Sequence, residues 1–257
     1  MDPNGLRVEG IAIAGSALAG TRVVQARAPG ALFIHGWSGG RSDMAGPMAE
    51  AAASGFACLD YDLRGHGATA EQRAAVTLQR SVDDAVHAWD ALAAMPGVDA
   101  GETAVVGTSF GGWLACLVSA ARPVRWLVLR VPALYPDRWW ERPKEGFDAD
   151  ALAAYRRQGP GPETDRALAA CAAFEGEVLL AWSGRDEVLP RGLADSFQVA
   201  FPKACSLTVR CLRDADHGLT DAASRAEYRA LLGGWLRTSL LARRRREVEP
   251  LLESDPA

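Results

Sequence analysis

Residues 107–111 read Gly-Thr-Ser-Phe-Gly, and this segment constrains the fold more than any other part of the chain. It follows the apolar run Ala104-Val105-Val106, which predicts a buried strand, and it precedes residues 111–121, which predict an apolar helix. The pattern G-x-S-x-G in that context is typical of a sharp strand-to-helix turn that exposes a serine hydroxyl. Small residues suit such a turn because the strand and the helix approach each other too closely for side chains. We therefore expect Ser109 to be a candidate nucleophile at the end of a strand.

Predicted strands and helices alternate along the chain, which indicates an α/β fold. After a predicted hairpin at residues 6–14 and 21–27, the predicted strands lie at residues 31–34, 56–59, 103–106, 126–131, 178–182 and 206–212. The predicted helices lie at residues 44–54, 78–95, 111–121 and 223–241. This order predicts a mostly parallel central sheet with helices on both faces. A single domain can accommodate all 257 residues.

Residues 132–176 interrupt the alternation and are too long for a plain crossover between two strands. We interpret them as a small cap insertion over the site. Tyr135, Trp139 and Trp140 could line a substrate pocket there, or they could simply anchor the segment to the protein body. Basic residues lie among these aromatic residues and would favour a substrate with a carboxylate: Arg138, Arg142 and Lys144.

The net charge of −4 gives no reason to expect a nucleic-acid partner. Arg243 to Arg246 form a basic run at the start of a charged C-terminal tail at about residues 242–257, and acidic residues follow at once. Such a run can contact an anion or a membrane surface, but a solvated helix end is the simpler interpretation.

Cysteine usage and hydropathy bear on where the protein resides. Five cysteines are scattered without a C-x-x-C pair, and an odd number argues against a complete disulfide framework. No stretch approaches the about 18 consecutive apolar residues of a membrane span. We therefore expect a cytoplasmic protein.

Two further segments follow predicted strands and carry acidic and histidine side chains. Residues 183–190 contain Asp186, and residues 214–219 contain His217. Together with the serine turn, they resemble the α/β-hydrolase superfamily, in its serine esterase, lipase and serine-peptidase-like branch, whose triad runs Ser, acid, His along the chain. The resemblance implies that Ser109, Asp186 and His217 form a catalytic triad. Neighbouring residues that compete with Asp186 for the acid position are Glu187, Asp214 and Asp216.

The same resemblance assigns a role to residues 35–40, His-Gly-Trp-Ser-Gly-Gly, which follow the first predicted strand of the main sheet. It implies that the backbone N–H groups of Trp37 and Phe110 form an oxyanion hole. It also implies that His35 orders this loop and that His66 belongs to a structural turn at residues 62–67.

The activity implied by the resemblance is hydrolysis of a carboxylic ester through an acyl-enzyme. A peptidase, amidase or thioesterase would use the same triad, and a non-catalytic binding protein can share the fold. The sequence contains no metal-ligand cluster, phosphate loop or nucleotide fingerprint, so we expect no cofactor and no metal. The expected partner is a small-molecule acyl substrate.

Overall fold

The computed structural model describes residues 7–12, 19–24 and 28–253. Its strands are β1 Arg7–Ala12, β2 Ala19–Val24, β3 Ala28–Ile34, β4 Ala57–Tyr61, β5 Val98–Thr108, β6 Trp126–Arg130, β7 Glu177–Arg185 and β8 Ser206–Asp216. In the described part of the chain they form one eight-stranded sheet in the order β1-β2-β4-β3-β5-β6-β7-β8. Strands β3 to β8 run parallel, whereas β1 and β2 pair antiparallel. The predicted hairpin is confirmed for β1 and β2, and its other residues (6, 13, 14 and 25–27) lie outside the described residues.

Helices cover both faces of the sheet, which confirms the predicted fold class. They are α1 Ala45–Ala53, α2 Leu78–Ala93, α3 Phe110–Ala121, α4 Ala149–Arg157, α5 Arg166–Ala173, α6 Gly192–Val199 and α7 Ala222–Glu253. Strand β3 is buried throughout and sends alternate side chains to opposite sides, so Leu32 joins one core cluster and Phe33 the other. The first cluster lies under α2, α3, α5 and α6, and the second lies under α1 and α7. This double burial explains why β3 appears in the sequence as an unbroken apolar run.

The segment between β6 and β7 combines an ordinary crossover with an irregular part. Helix α5 packs against α3 and covers the sheet as a crossover helix does. The irregular part precedes it and holds two short 3-10 helices, Asp137–Trp139 and Lys144–Gly146, followed by α4. The departure from the strand–helix alternation is therefore shorter than the predicted residues 132–176.

The C-terminal basic run is helical, because α7 continues well past the predicted end at residue 241. Arg243 donates to Glu102 of β5 at 3.0 Å, and Arg246 donates to Glu177 of β7 at 2.9 Å. These carboxylates tie the run to the sheet, and residues 242–253 of the predicted charged tail continue α7. In the described residues, no helix combines the length and the apolar character needed to cross a membrane.

Candidate active site

Ser109 lies between β5 and α3 on a backbone with φ of 54° and ψ of −111°. A positive φ is uncommon for a residue with a side chain and indicates local strain. The two glycines of the motif allow the turn: a Cβ on Gly107 would overlap the Gly111 carbonyl, and a Cβ on Gly111 would overlap the Ile34 carbonyl. The turn is held by hydrogen bonds, since the Ser109 amide donates to the Arg130 carbonyl at 2.9 Å.

The structure brings together the three residues that the sequence predicted as a triad. The distance from His217 Nε2 to Ser109 Oγ is 3.0 Å, and the distance from His217 Nδ1 to Asp186 Oδ2 is 2.7 Å. Each residue follows the carboxyl end of a parallel strand, namely β5, β7 and β8. This edge is where open α/β sheets place their sites. An imidazole held between a hydroxyl and a carboxylate can accept the hydroxyl proton.

Asp186 is oriented by its own loop as well as by His217. Its Oδ1 accepts hydrogen bonds from the amides of Val188 at 2.8 Å and Leu189 at 2.9 Å. Burial alone would raise the pKa of this carboxyl, but the hydrogen bonds from His217 and the two amides outweigh burial and lower it. The side chain therefore stays ionised beside His217.

The three competing acids lie elsewhere. Glu187 is exposed to solvent. Asp214 pairs with Arg185, and Asp216 accepts hydrogen bonds from Thr220. Of these acidic residues only Asp186 contacts the His217 ring.

Two buried histidines shape the loop that follows β3. His35 Nδ1–H donates to the Gly36 carbonyl at 2.7 Å, and its Nε2 accepts from the Leu63 amide at 3.0 Å. Burial lowers the pKa of His35 to about 4, so its ring is neutral at physiological pH and keeps this tautomer. His66 Nε2 contacts the Trp37 carbonyl. In the described part of the chain, the amides of Trp37 and Phe110 make no hydrogen bond to a protein acceptor.

A cavity of about 1090 Å³ opens at this edge of the sheet. Ser109, His217, Trp37 and Tyr135 line it. Trp139 and Trp140 do not, in contrast with their predicted pocket role. Trp139 is buried against Phe147, with the ring centroids 4.6 Å apart, and Trp140 packs between Trp113 and the guanidinium of Arg166. Both tryptophans therefore anchor the irregular segment to the protein body.

The basic residues of the irregular segment fall into two groups, one exposed to solvent and one on the cavity wall. Arg138 and Arg142 are exposed and lie over the Trp139 ring, whereas Lys144 lines the cavity. The Lys144 ammonium lies 4.3 Å from the centre of the Trp37 ring. Burial, together with the nearby charges of Arg156 and Arg73, lowers the pKa of Lys144 to about 7.

Four arginines that line the cavity were not predicted: Arg130, Arg156, Arg225 and Arg229. Arg130, at the end of β6, is 3% exposed and donates to the His217 carbonyl and to Ser183 Oγ. A charged residue closing the apolar strand Trp-Leu-Val-Leu-Arg could have identified it, because strand ends at this edge carry site residues. Arg156 also lines the cavity, but the sequence offers no such signal, since an Arg-Arg pair at a helix end is typical of a solvated terminus.

In the part of the chain that the structure describes, no cluster of side chains is suited to bind a metal ion. No group of three or more histidine, cysteine, aspartate or glutamate side chains there could hold a metal ion.

Comparison with known proteins gives one family match and many structural matches. A family described as serine aminopeptidase, S33, matches residues 30–152, which is less than half of the chain. This region includes Ser109 and the loop with Trp37 but ends before Asp186 and His217. No curated protein sequence matches the chain significantly.

Several solved structures share the whole fold at low sequence identity. Est1E from Butyrivibrio proteoclasticus with bound ferulic acid has a TM-score of 0.67 and 14% identity, over 91% of this chain and 99% of that one. The esterase domain of a Rhodothermus marinus protein has a TM-score of 0.65 and 18% identity, over 91% and 98%. A thioesterase domain from the curacin biosynthetic pathway has a TM-score of 0.62 and 15% identity, over 89% and 99%. At these identities the likeness is one of fold.

Proposed function

This chain has the α/β-hydrolase fold, and we propose that it is a serine hydrolase that cleaves carboxylic esters through an acyl-enzyme. The observation that carries the proposal is the continuous chain of hydrogen bonds from Ser109 Oγ through the His217 ring to Asp186. The strained backbone of Ser109, which faces a cavity of about 1090 Å³, supports it further. Strain of this kind is retained where it serves a function.

In the first half of the reaction, Ser109 Oγ attacks the ester carbonyl carbon while its proton passes to His217 Nε2. The negatively charged Asp186 stabilises the imidazolium that forms. The carbonyl oxygen becomes an oxyanion, which the backbone N–H groups of Trp37 and Phe110 would stabilise. The carbon–oxygen bond to the alcohol then breaks, and the alcohol leaves with the proton from His217.

In the second half, water attacks the acyl-enzyme and gives a proton to His217 Nε2. The bond between Ser109 Oγ and the acyl carbon breaks, Ser109 regains its proton from His217, and a carboxylic acid is released. The balance is ester plus water giving acid plus alcohol. Arg130 holds the His217 carbonyl throughout and so keeps the imidazole at the serine.

A thioester or amide substrate would use the same steps, and the structural neighbours include a thioesterase domain. The family description names an aminopeptidase, whose substrates carry a free ammonium group. Lys144 and Arg156 on the cavity wall would repel such a group. The charge of the cavity therefore favours esters over N-terminal peptides for this chain.

We further propose that residues 132–165 act as a small cap within a single domain, since Tyr135, Lys144, Leu152 and Arg156 all reach the cavity wall. The partner is then a small acyl compound held between the cap and the edge of the sheet. The five cysteines are all free thiols, which supports a cytoplasmic location.

The test compares Ser109→Ala with the wild type on p-nitrophenyl esters and on aminoacyl p-nitroanilides. We expect the wild type to hydrolyse the esters faster, and we expect Ser109→Ala to lower kcat by about 10⁴-fold or more. Ser119→Ala, in α3 outside the cavity, is the matched control and should behave as the wild type. Retention of turnover in Ser109→Ala would refute the mechanism, and faster anilide cleavage would refute the ester preference.

A further inference from the structure

The cap side of the cavity wall carries two cations that have no carboxylate partner. In the described part of the chain, neither Lys144 nor Arg156 forms an ion pair, although Arg73 pairs with Glu145 beside them. Arg156 is 9% exposed and uses its Nε to donate to the Leu134 carbonyl at 3.1 Å. A charge that is buried without a partner is costly, so such a pair on a cavity wall requires an explanation.

Both cations face the same aromatic ring. The Lys144 ammonium and the Arg156 guanidinium carbon lie 5.3 Å and 5.1 Å from the centre of the Tyr135 ring. The Lys144 ammonium is also 5.3 Å from the centre of the Phe110 ring. Because Phe110 follows Ser109 directly and Trp37 belongs to the proposed oxyanion loop, this positive patch adjoins the reacting groups.

A cation over an aromatic face is attracted to the ring, which offsets part of the cost of burial. The pKa of Lys144 nevertheless falls to about 7, through burial and the repulsion of Arg156 and Arg73, which exceed the opposing effect of Glu145. A negatively charged group in the cavity would reverse this repulsion, because it would neutralise both cations at once.

We propose that Lys144 and Arg156 form an anion-binding subsite for the carboxylate of the substrate, so that the enzyme prefers esters carrying a carboxylate near the scissile carbonyl. This inference rests on the proposed hydrolase function and names the substrate class for the same site. Asp43 is the one carboxylate among the described residues that line the cavity, and it accepts a hydrogen bond from the Gly40 amide in the loop after β3. The cap side of the cavity is therefore positive.

The experiment uses two esters with the same number of acyl carbons, mono-p-nitrophenyl glutarate and p-nitrophenyl pentanoate. The ratio of their kcat/KM values measures the preference for the carboxylate. We expect the wild type to prefer the glutarate ester, and we expect Lys144→Met and Arg156→Gln each to lower the ratio about ten- to a hundredfold. Arg157→Gln, which removes the adjacent exposed charge from the same helix, should keep the wild-type ratio.

A second pair of substrates places the charge on the leaving group: 4-pentanoyloxybenzoate and its methyl ester. A preference for the acid in the first pair alone would assign the subsite to the acyl side, and a preference in the second pair alone would assign it to the alcohol side. No preference in either pair, or an unchanged ratio in Lys144→Met, would overturn the subsite. Lys144→Met can still be measured if Arg156→Gln fails to fold, because the Lys144 side chain is half-buried and makes no hydrogen bond to the backbone of the described residues.

Calorimetric titration separates the subsite from catalysis. Ser109→Ala should bind glutarate, and the double variant Ser109→Ala with Lys144→Met should bind it at least about tenfold more weakly. If glutarate binds in this way but no ester is cleaved, the proposed function fails and the subsite stands. If esters are cleaved and glutarate does not bind, the subsite fails and the hydrolase function stands.

Discussion

Replacement of Asp186 by asparagine tests the orientation of His217, and the structure determines which way the new amide must turn. Asp186 Oδ1 accepts hydrogen bonds from the backbone amides of Val188 and Leu189, while Oδ2 lies 2.7 Å from His217 Nδ1. An asparagine oxygen placed at Oδ1 keeps both amide hydrogen bonds. Its NH₂ group then points at Nδ1 as a donor.

The reversed orientation would leave two amide donors facing an NH₂ group, and each unsatisfied donor costs on the order of 1 to 3 kcal/mol. The first orientation therefore prevails. It forces the His217 proton onto Nε2, so the ring can no longer accept the proton of Ser109. We expect kcat to fall about 10⁴-fold, equivalent to about 5 kcal/mol in the activation free energy.

The assay is steady-state hydrolysis of a p-nitrophenyl ester by Asp186→Asn, with Glu187→Gln as the matched control. Glu187 is adjacent and exposed, and it does not contact His217, so its replacement should leave kcat within about twofold of the wild type. A loss in kcat of less than tenfold for Asp186→Asn would show that Asp186 does not fix the His217 tautomer. A larger loss for Glu187→Gln would move the acid one residue along the chain.

Three further predictions concern stability and specificity. Trp139→Ala should lower the free energy of unfolding, measured in urea, by about 3 to 5 kcal/mol, because the ring is buried. It should leave the ranking of acyl-chain lengths by kcat/KM unchanged. An altered ranking would restore the predicted pocket role of Trp139. The lowered pKa of Asp186 stabilises the fold at neutral pH, and this contribution is lost as the pH falls below about 4. The difference in unfolding free energy between the wild type and Asp186→Asn should therefore shrink between pH 6 and pH 3. Gly111→Ala should lower the free energy of unfolding by more than about 1 kcal/mol, because the new methyl group overlaps the Ile34 carbonyl. Gly234→Ala should raise it slightly, because the space beside this residue of α7 is open. Equal effects would contradict the close approach of Gly111 to the Ile34 carbonyl.

The sequence predicted the elements of this fold whose signals are local. The apolar runs that became β3 and β6 are buried along their whole length, and the glycines around Ser109 are required by close backbone contacts. Helix α6 was missed because its residues 192–199 carry only two buried apolar side chains, Leu193 and Phe197. Helix α7 was predicted too short because the carboxylates that hold its arginines belong to distant strands.

The site shows the same division between local and long-range information. The resemblance to a known family gave the three residues that the structure brings within hydrogen-bonding distance of one another. It could not distinguish Tyr135, on the cavity wall, from Trp139, in the core, because both are aromatic residues of one irregular segment. Arg156 meets Lys144 only in three dimensions, so no spacing in the sequence predicts the positive patch.

Covalent labelling tests whether Ser109 is the nucleophile. The wild-type protein is treated with a fluorophosphonate, digested and analysed by mass spectrometry to find the modified residue. We expect a single phosphonyl adduct on Ser109 and none in Ser109→Ala. We also expect Asp186→Asn to be labelled far more slowly, because its His217 cannot accept the serine proton. An unlabelled wild-type protein, or an adduct on another residue that persists in Ser109→Ala, would rule out Ser109 as the nucleophile.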